Sequence, residues 1–317
     1  MTDTQNEVFK TPVNKIRLFE HGAPGSQNLK LTRKYYTEDM PDGRVKHIVQ
    51  NITDPDIVPY IPDGIGNSTD RQRIPAVLII PGGAFRRLVY NFEGEDVAKW
   101  LNSMGIAAFV LECRLPSDEH DNAEDVPLID AMRAMRVIRG RAQEFGIDEA
   151  KIGVMGFSAG GFMAALLSTA YESDVYADYK YKDEYDKLSA RPDFAVCSYP
   201  VISIDDCIEA GKRYMSEEQV LERISDSKAK ILHKYNPDML VRPDMPPVFI
   251  CETDDDRTTL SENSVGFYMA ARKAGVSAEL HIFRTGGHGY GCGDDFAQTG
   301  EWKVLFTKWI KSIGIIS

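Results

Sequence analysis

From residue 75 to the C-terminus, short aliphatic runs alternate with segments of helical period, and no other feature of this chain restricts its fold as much. The runs at 76–80, 107–111, 152–155, 195–199 and 248–251 are apolar with little alternation, as strands buried on both faces are. Between them Leu128, Met132, Met135 and Ile138 recur three and four residues apart, the stripe of an amphipathic helix over 125–145. A helix over 162–170 is expected next. Val265, Tyr268 and Met269 mark another, closed by Gly275, and Trp302, Leu305, Phe306, Trp309 and Ile313 mark the last. These stripes are read as core packing. Strand and helix repeated in this way give an α/β fold, a mostly parallel central sheet with helices on both faces. The sixth run, "ELHIF" at 279–283, does alternate and is expected nearer an edge.

Residues 1–70 are polar and rich in Pro and Asp, with a hairpin-like region around 45–57. They are read as an N-terminal extension adding antiparallel edge strands to the sheet of a main domain over 71–317. Two insertions follow strands, 171–191 with five tyrosines among charges and the mostly polar 202–244. Segments placed there are candidates for a cap or lid.

Composition excludes several classes of function. With 317 residues, 43% of them apolar, the chain can fill one large core. Thirty-seven basic against 48 acidic residues leave a net charge of −11, which argues against nucleic acid and anionic membrane, since phosphate is bound by clustered Lys and Arg. No apolar run approaches the eighteen residues or so of a membrane helix, and the first fifteen residues lack a signal-peptide core. A cytoplasmic protein with a small-molecule partner is expected, its oligomeric state left open. Cys113, Cys197, Cys207, Cys251 and Cys292 are widely spaced without a CxxC pair, so neither a disulfide framework nor a zinc site is indicated. Cys113, Cys197 and Cys251, in or beside apolar strand-like runs, read as buried thiols, and neither a metal nor an organic cofactor is expected.

The stretch at 151–162, "KIGVMGFSAGGF", places Ser158 between glycines after a strand and before a helix. Gly-x-Ser-x-Gly in that context lets a strained backbone pass close to its neighbours while the hydroxyl points into a pocket. A serine hydroxyl needs an adjacent base, and the base an orienting carboxylate. Of His21, His47, His120, His233, His281 and His288, His281 lies within a predicted strand and is expected to be satisfied by its neighbours. His288 lies past the last strand in "TGGHGYG", where glycines leave the loop free to bring the ring to Ser158. The acid should fall between serine and histidine in chain order. "VFICETDDDRTT" offers Asp254, Asp255 and Asp256, with Glu252 at the end of the run. Acyl transfer also needs amides aimed at the oxyanion: that of Ala159, and one from Pro81-Gly82-Gly83-Ala84 in "LIIPGGAFRRL".

With these elements in order, the chain resembles the α/β-hydrolase superfamily, and within it the carbohydrate esterase group that includes acetyl xylan esterase and feruloyl esterase type enzymes. The resemblance is carried by "PGGAF", "EGEDVAKWLNSMGIAAFVLECRLP", "GIDEAKIGVMGFSAGGFMAA", "RPDFAVCSYPVIS" and "AARKAGVSAELHIFRTGGHGYG" across most of 75–313. It implies Ser158 as nucleophile, His288 as base, Asp256 as orienting acid with Asp255 as runner-up, and Gly83, Ala84 and Ala159 as the oxyanion hole. The activity implied is that of a serine esterase removing small acyl groups, acetyl foremost, from an acylated carbohydrate or another ester. Aryl or feruloyl esters, or peptides, are the alternative for the same machinery, and a non-catalytic ligand-binding module is the reading from a different class. Ala84 and Phe85 stand where relatives carry a third glycine and a tyrosine, and Arg257-Thr258-Thr259 where valines and a proline are commoner. Arg86 and Arg87 are expected to pair with Glu93 or Glu95, with contact to an anionic or sugar substrate as the alternative.

Overall fold

The structure is a computed structural model that describes residue 9 and residues 13–64, 73–216, 218–220, 227–293 and 298–317. Its strands are β1 (Ile16–Arg17), β2 (Lys34–Asp39), β3 (Val45–Gln50), β4 (Asp56–Tyr60), β5 (Ile74–Ile80), β6 (Leu88–Val89), β7 (Ala107–Glu112), β8 (Ile147–Phe157), β9 (Ala195–Ser198), β10 (Val248–Thr253) and β11 (Ala278–Phe283). Eight of them form one sheet in the order β1-β4-β7-β5-β8-β9-β10-β11. The six from β7 to β11 in that order run parallel, and β1 and β4 add an antiparallel edge. Parallel neighbours need crossovers. Among the helices are α1 (Asp96–Ser103), α2 (Val126–Gly140), α3 (Ala142–Phe145), α4 (Ala159–Ala170), α5 (Ile204–Tyr214), α6 (Ser227–Lys234), α7 (Ser261–Lys273) and α8 (Glu301–Ser312).

The apolar runs are buried as their composition requires: β7 and β10 have no exposed residue. β11 pairs only with β10 and ends the sheet, consistent with its alternation. Its His281 bonds Glu279 at 2.8 Å. No helix among the described residues is long and apolar enough to cross a membrane.

The helix expected over 125–145 breaks after Gly140. The ring of Tyr185 occupies the space a Cβ there would need, and the chain restarts as α3. On α7 the expected core residues Val265 and Met269 are exposed, while Phe267 and Ala271 face inward. The hairpin is β2–β3, turning at Pro41-Asp42-Gly43, rather than one over 45–57. β3 and β4 part into different sheets, β3 joining β2 and β6 in a three-stranded one. The Asp-Gly pair at 42–43 is the turn signal that marks the true register. Residues 184–187 form a short 3-10 turn on the outside of α2, where Arg133 bonds Asp183 and, at 3.0 Å, Asp186.

One buried group sets a pH dependence. His120 Nδ1 lies 3.0 Å from Ser26 Oγ, and its Nε2 has no partner. Burial, then the Arg114 guanidinium, push its pKa down to about 4. An unfolded histidine titrates near 6.5. Between those values the folded state binds fewer protons, so stability increases with pH through the window and is lost as pH falls. Urea unfolding is expected to give a free energy about 1–2 kcal/mol lower at pH 5 than at pH 6.5 from this group, and His120→Gln should flatten that slope. An unchanged slope in the variant would assign the effect elsewhere.

Candidate active site

Ser158 is the single residue between the end of β8 and the start of α4. Its backbone stands at φ 54, ψ −117, outside the regions ordinary residues favour. A Cβ on Gly156 would overlap the Gly160 carbonyl, and one on Gly160 the Ile80 carbonyl. Only glycines therefore let this turn close. Neighbours fix it: the Ser158 amide donates to the Ser198 carbonyl at 3.0 Å, and its carbonyl accepts from the Phe162 amide at 3.0 Å. Ala159 occupies the first helical position, so its N–H has no partner within α4 and points along the positive end of the helix.

β10 and β11 pair in parallel up to Thr253↔Phe283, so the loops leaving their C-terminal ends emerge side by side. Asp256 and His288 meet there. His288 Nδ1 donates to Asp256 Oδ2 at 2.6 Å, and Ser158 Oγ lies 2.8 Å from His288 Nε2 as its donor. The other Asp256 oxygen, Oδ1, accepts from the Thr258 and Thr259 amides at 2.7 and 3.0 Å, and the Thr259 hydroxyl donates to Oδ2 beside His288 at 2.9 Å. Burial alone raises the pKa of a carboxyl; here the bonds from His288 and the threonine amides outweigh it and hold Asp256 below its ordinary value. The departure Arg257-Thr258-Thr259 thus supplies the cradle of the acid. Asp255 is exposed and accepts from the Gly287 amide at 2.8 Å, pinning the histidine loop rather than the imidazole. Asp254 is also exposed, and Glu252 is buried beside Ser264, where burial and then the Asp256 carboxylate raise its pKa.

Gly83, Ala84, Ser158, Ala159 and His288 line one cleft of about 380 Å³. Ala84 and Phe85 both hold positive φ, 58 and 61. No described residue of 171–191 or 202–244 lines it; the facing wall comes from Met40, Arg44 and Lys46 on the β2–β3 hairpin and its turn. Arg87 pairs with Glu38 of that hairpin, not with Glu93 or Glu95, and Glu95 pairs with Lys99.

Glu93, expected from the sequence only as a partner of Arg86 or Arg87, and Tyr199, which the sequence did not single out, connect the loops beneath the cleft. Glu93 is buried; its Oε2 accepts from the Gly82 amide at 2.8 Å and its Oε1 from the Tyr199 hydroxyl at 2.9 Å. Tyr199 Oη in turn accepts from the Gly291 amide at 3.0 Å, and its ring lies 5.0 Å from that of His288. One hydrogen-bonded strut thereby joins the glycine loop after β5 to the histidine loop after β11. Burial raises the Glu93 pKa, with His288, Tyr199 and Gly82 offsetting part of the rise. Tyr199 sits at the end of β9 in "CSYP" and Glu93 in "EGED", neither with a local pattern that marks a partner.

The sheet order, its crossover helices and the sharp turn at Ser158 between β8 and α4 define an α/β-hydrolase fold. The chain belongs to the BD-FAE family, whose model matches residues 65–270. It is 31% identical over 240 residues to an acetylxylan esterase of Xylanibacter ruminicola, covering 75% of this chain and 45% of that protein. Endo-1,4-beta-xylanase B of Butyrivibrio fibrisolvens is 30% identical over 227 residues, 71% of this chain and 34% of that protein. The chain thus spans less than half the length of these curated relatives. The crystal structure of an acetyl ester-xyloside bifunctional hydrolase from Caldicellulosiruptor lactoaceticus superposes with a TM-score of 0.71 at 35% identity, covering 96% of this chain and 97% of that one. The carboxylesterase Cest-2923 of Lactobacillus plantarum WCFS1, at 20% identity, TM-score 0.67 and coverage of 90% and 99%, shares the fold.

Proposed function

We propose that this protein is a serine carboxylic ester hydrolase that removes small acyl groups, acetyl foremost, from sugars or oligosaccharides. One observation carries the reading: the hydrogen-bonded run from Asp256 through His288 to Ser158, ending in a cleft. Ser158 Oγ attacks the ester carbonyl carbon while its proton passes to His288 Nε2. The amides of Gly83, Ala84 and Ala159 take the negative oxygen. Collapse breaks the bond to the sugar oxygen, which leaves with the proton from Nε2. Water then attacks the acyl-serine, its proton again taken by Nε2, and the free acid departs as Oγ is reprotonated. An ionised Asp256 holds Nδ1–H and favours the imidazolium that forms at each step.

Acetyl is favoured by the names of two relatives, an acetylxylan esterase and an acetyl ester-xyloside hydrolase. Glycoside cleavage needs two carboxyl groups flanking the bond. Among the described residues lining the cleft Glu93 is the one carboxylate, and Gly82 and Tyr199 engage it. Ester cleavage is therefore the better reading of this site. Residues 1–70 are taken as an extension of a catalytic domain over 71–317. The buried thiols of Cys113, Cys197 and Cys251 form no disulfide, which suits a reducing, cytoplasmic compartment.

The test is a series of 4-nitrophenyl esters from acetate to octanoate, run beside acetylated xylo-oligosaccharides and a feruloyl ester. kcat/KM is expected to be highest for acetate and to fall about tenfold or more by octanoate. Cleavage of peptides alone, or a preference that rises with chain length, would sink the small-acyl reading.

A further inference from the structure

The walls of the cleft carry a charge opposite to that of the chain. Against a net charge of −11, the described side chains lining the cleft include Arg44, Lys46, Arg86 and Arg87 and a single carboxylate, Glu93. Glu93 lies buried with both oxygens bonded, so it neutralises little at the surface. Glu38 offsets Arg87, and Asp42 offsets Arg44 at 2.8 Å. Lys46 makes no ion pair with a described residue.

The mount of Lys46 is rigid. It sits in β3 directly opposite Glu38 in β2, while Ile48 and Val49 pair with β6. The next residue, His47, donates its amide to Asn91 at 2.9 Å and accepts from the Tyr90 amide at 2.8 Å. Arg87, Glu38 and Lys46 together leave one positive charge where the hairpin meets the glycine loop. Lys46 lines the same cleft as Ser158 and His288, and its charge is among those that offset the effect of burial on Glu93.

We propose that Lys46, within this cationic wall, forms a subsite for a carboxylate, so that the preferred substrates are anionic esters such as acylated oligosaccharides bearing a uronic acid. The proposal rests on the ester hydrolase reading and narrows it. A fixed ammonium in a cleft with low-dielectric walls attracts a carboxylate more than the same charge on an open surface, and salt weakens that attraction.

Two substrate pairs separate a carboxylate on the leaving group from one on the acyl group: 4-acetoxybenzoate against its methyl ester, and 4-nitrophenyl hydrogen adipate against 4-nitrophenyl hexanoate. Background hydrolysis is subtracted, and kcat/KM is measured for wild type, Lys46→Gln and Lys46→Glu at about 0.02 M ionic strength, where the Debye length is roughly 20 Å. For at least one pair the acid-to-neutral ratio is expected to fall about fivefold in Lys46→Gln and about twentyfold in Lys46→Glu, chiefly through KM of the acid. The wild-type ratio should also fall at about 0.5 M salt. Equal ratios in all three proteins for both pairs overturn the subsite. If wild type cleaves none of the four esters, the hydrolase reading has failed separately. The subsite is then decided by calorimetric binding of 4-acetoxybenzoate and its methyl ester to Ser158→Ala. Acid-selective binding that disappears when Lys46→Glu is added supports it, and equal binding of the two ligands overturns it.

Discussion

Ser158→Ala is expected to lower kcat on 4-nitrophenyl acetate by about 10⁴- to 10⁶-fold. The variant loses the hydroxyl oxygen placed 2.8 Å from His288 Nε2. Alanine keeps a Cβ, so the backbone strain at φ 54 stays in both proteins and the glycines around it need not move. Ser158 is only 9% exposed and its main-chain bonds to Ser198 and Phe162 are unaffected. Thermal unfolding should therefore shift by no more than about 2–4 °C, which separates loss of the nucleophile from loss of the fold. Residual acceleration over water is expected, because the amides proposed to take the oxyanion, at Gly83, Ala84 and Ala159, remain. Burst kinetics provide a second readout: wild type should release a stoichiometric burst of 4-nitrophenol where deacylation is slower than acylation, and the variant none. Equal turnover by the two proteins would remove Ser158 from the mechanism.

The parts of the site visible in the sequence are those whose chemistry is local. A strand, a glycine-flanked serine and a helix in succession leave the chain one way to turn, and "KIGVMGFSAGGF" folds as that succession requires. His288 was readable because glycines bracket it just beyond the last strand, while His281 sat inside a strand where Glu279 satisfies it. What stayed hidden depends on contacts between segments far apart in the chain. Glu93 and Tyr199 are 106 residues apart, and nothing near either predicts the bond between them. A hairpin placed around 45–57 lies past the Asp-Gly turn at 42–43, which puts β3 opposite β2 and sends β4 to the other sheet, so the hairpin wall stayed hidden. The threonines at 258 and 259 differ from the residues commoner there, and their sequence alone assigns them no role. Their amides bind Oδ1 of the Asp256 carboxylate, and the Thr259 hydroxyl donates to Oδ2 beside His288, a role that requires the loop to fold back on itself.

Because of that cradle, Asp256→Asn is expected to cost about 10⁴-fold in kcat while Asp255→Asn costs less than about threefold. The amides of Thr258 and Thr259 both donate to Oδ1, so in the variant the amide oxygen is held on their side. The –NH₂ group then takes the place of Oδ2, facing His288 Nδ1 at the position now 2.6 Å away. A donor there forces Nδ1 to accept, which puts the ring proton on Nε2. Nε2–H cannot accept the Ser158 proton, so the base is present and in place but in the wrong tautomer. Asp255 meets a different demand. It accepts a single bond from the Gly287 amide at 2.8 Å, and asparagine keeps an oxygen for that bond. A stability effect separates the two positions as well. The Asp256 pKa lies below its ordinary value in the folded protein, so its carboxylate stabilises the fold above the unfolded pKa of about 3.9, and that contribution is lost as pH falls through the folded value. Asp256→Asn should therefore lower the unfolding free energy at neutral pH and flatten its decline in acid, whereas Asp255→Asn should follow wild type. Steady-state kinetics with urea titrations at several pH values read both effects. A large loss of kcat in Asp255→Asn with activity kept in Asp256→Asn would move the orienting role to the neighbour.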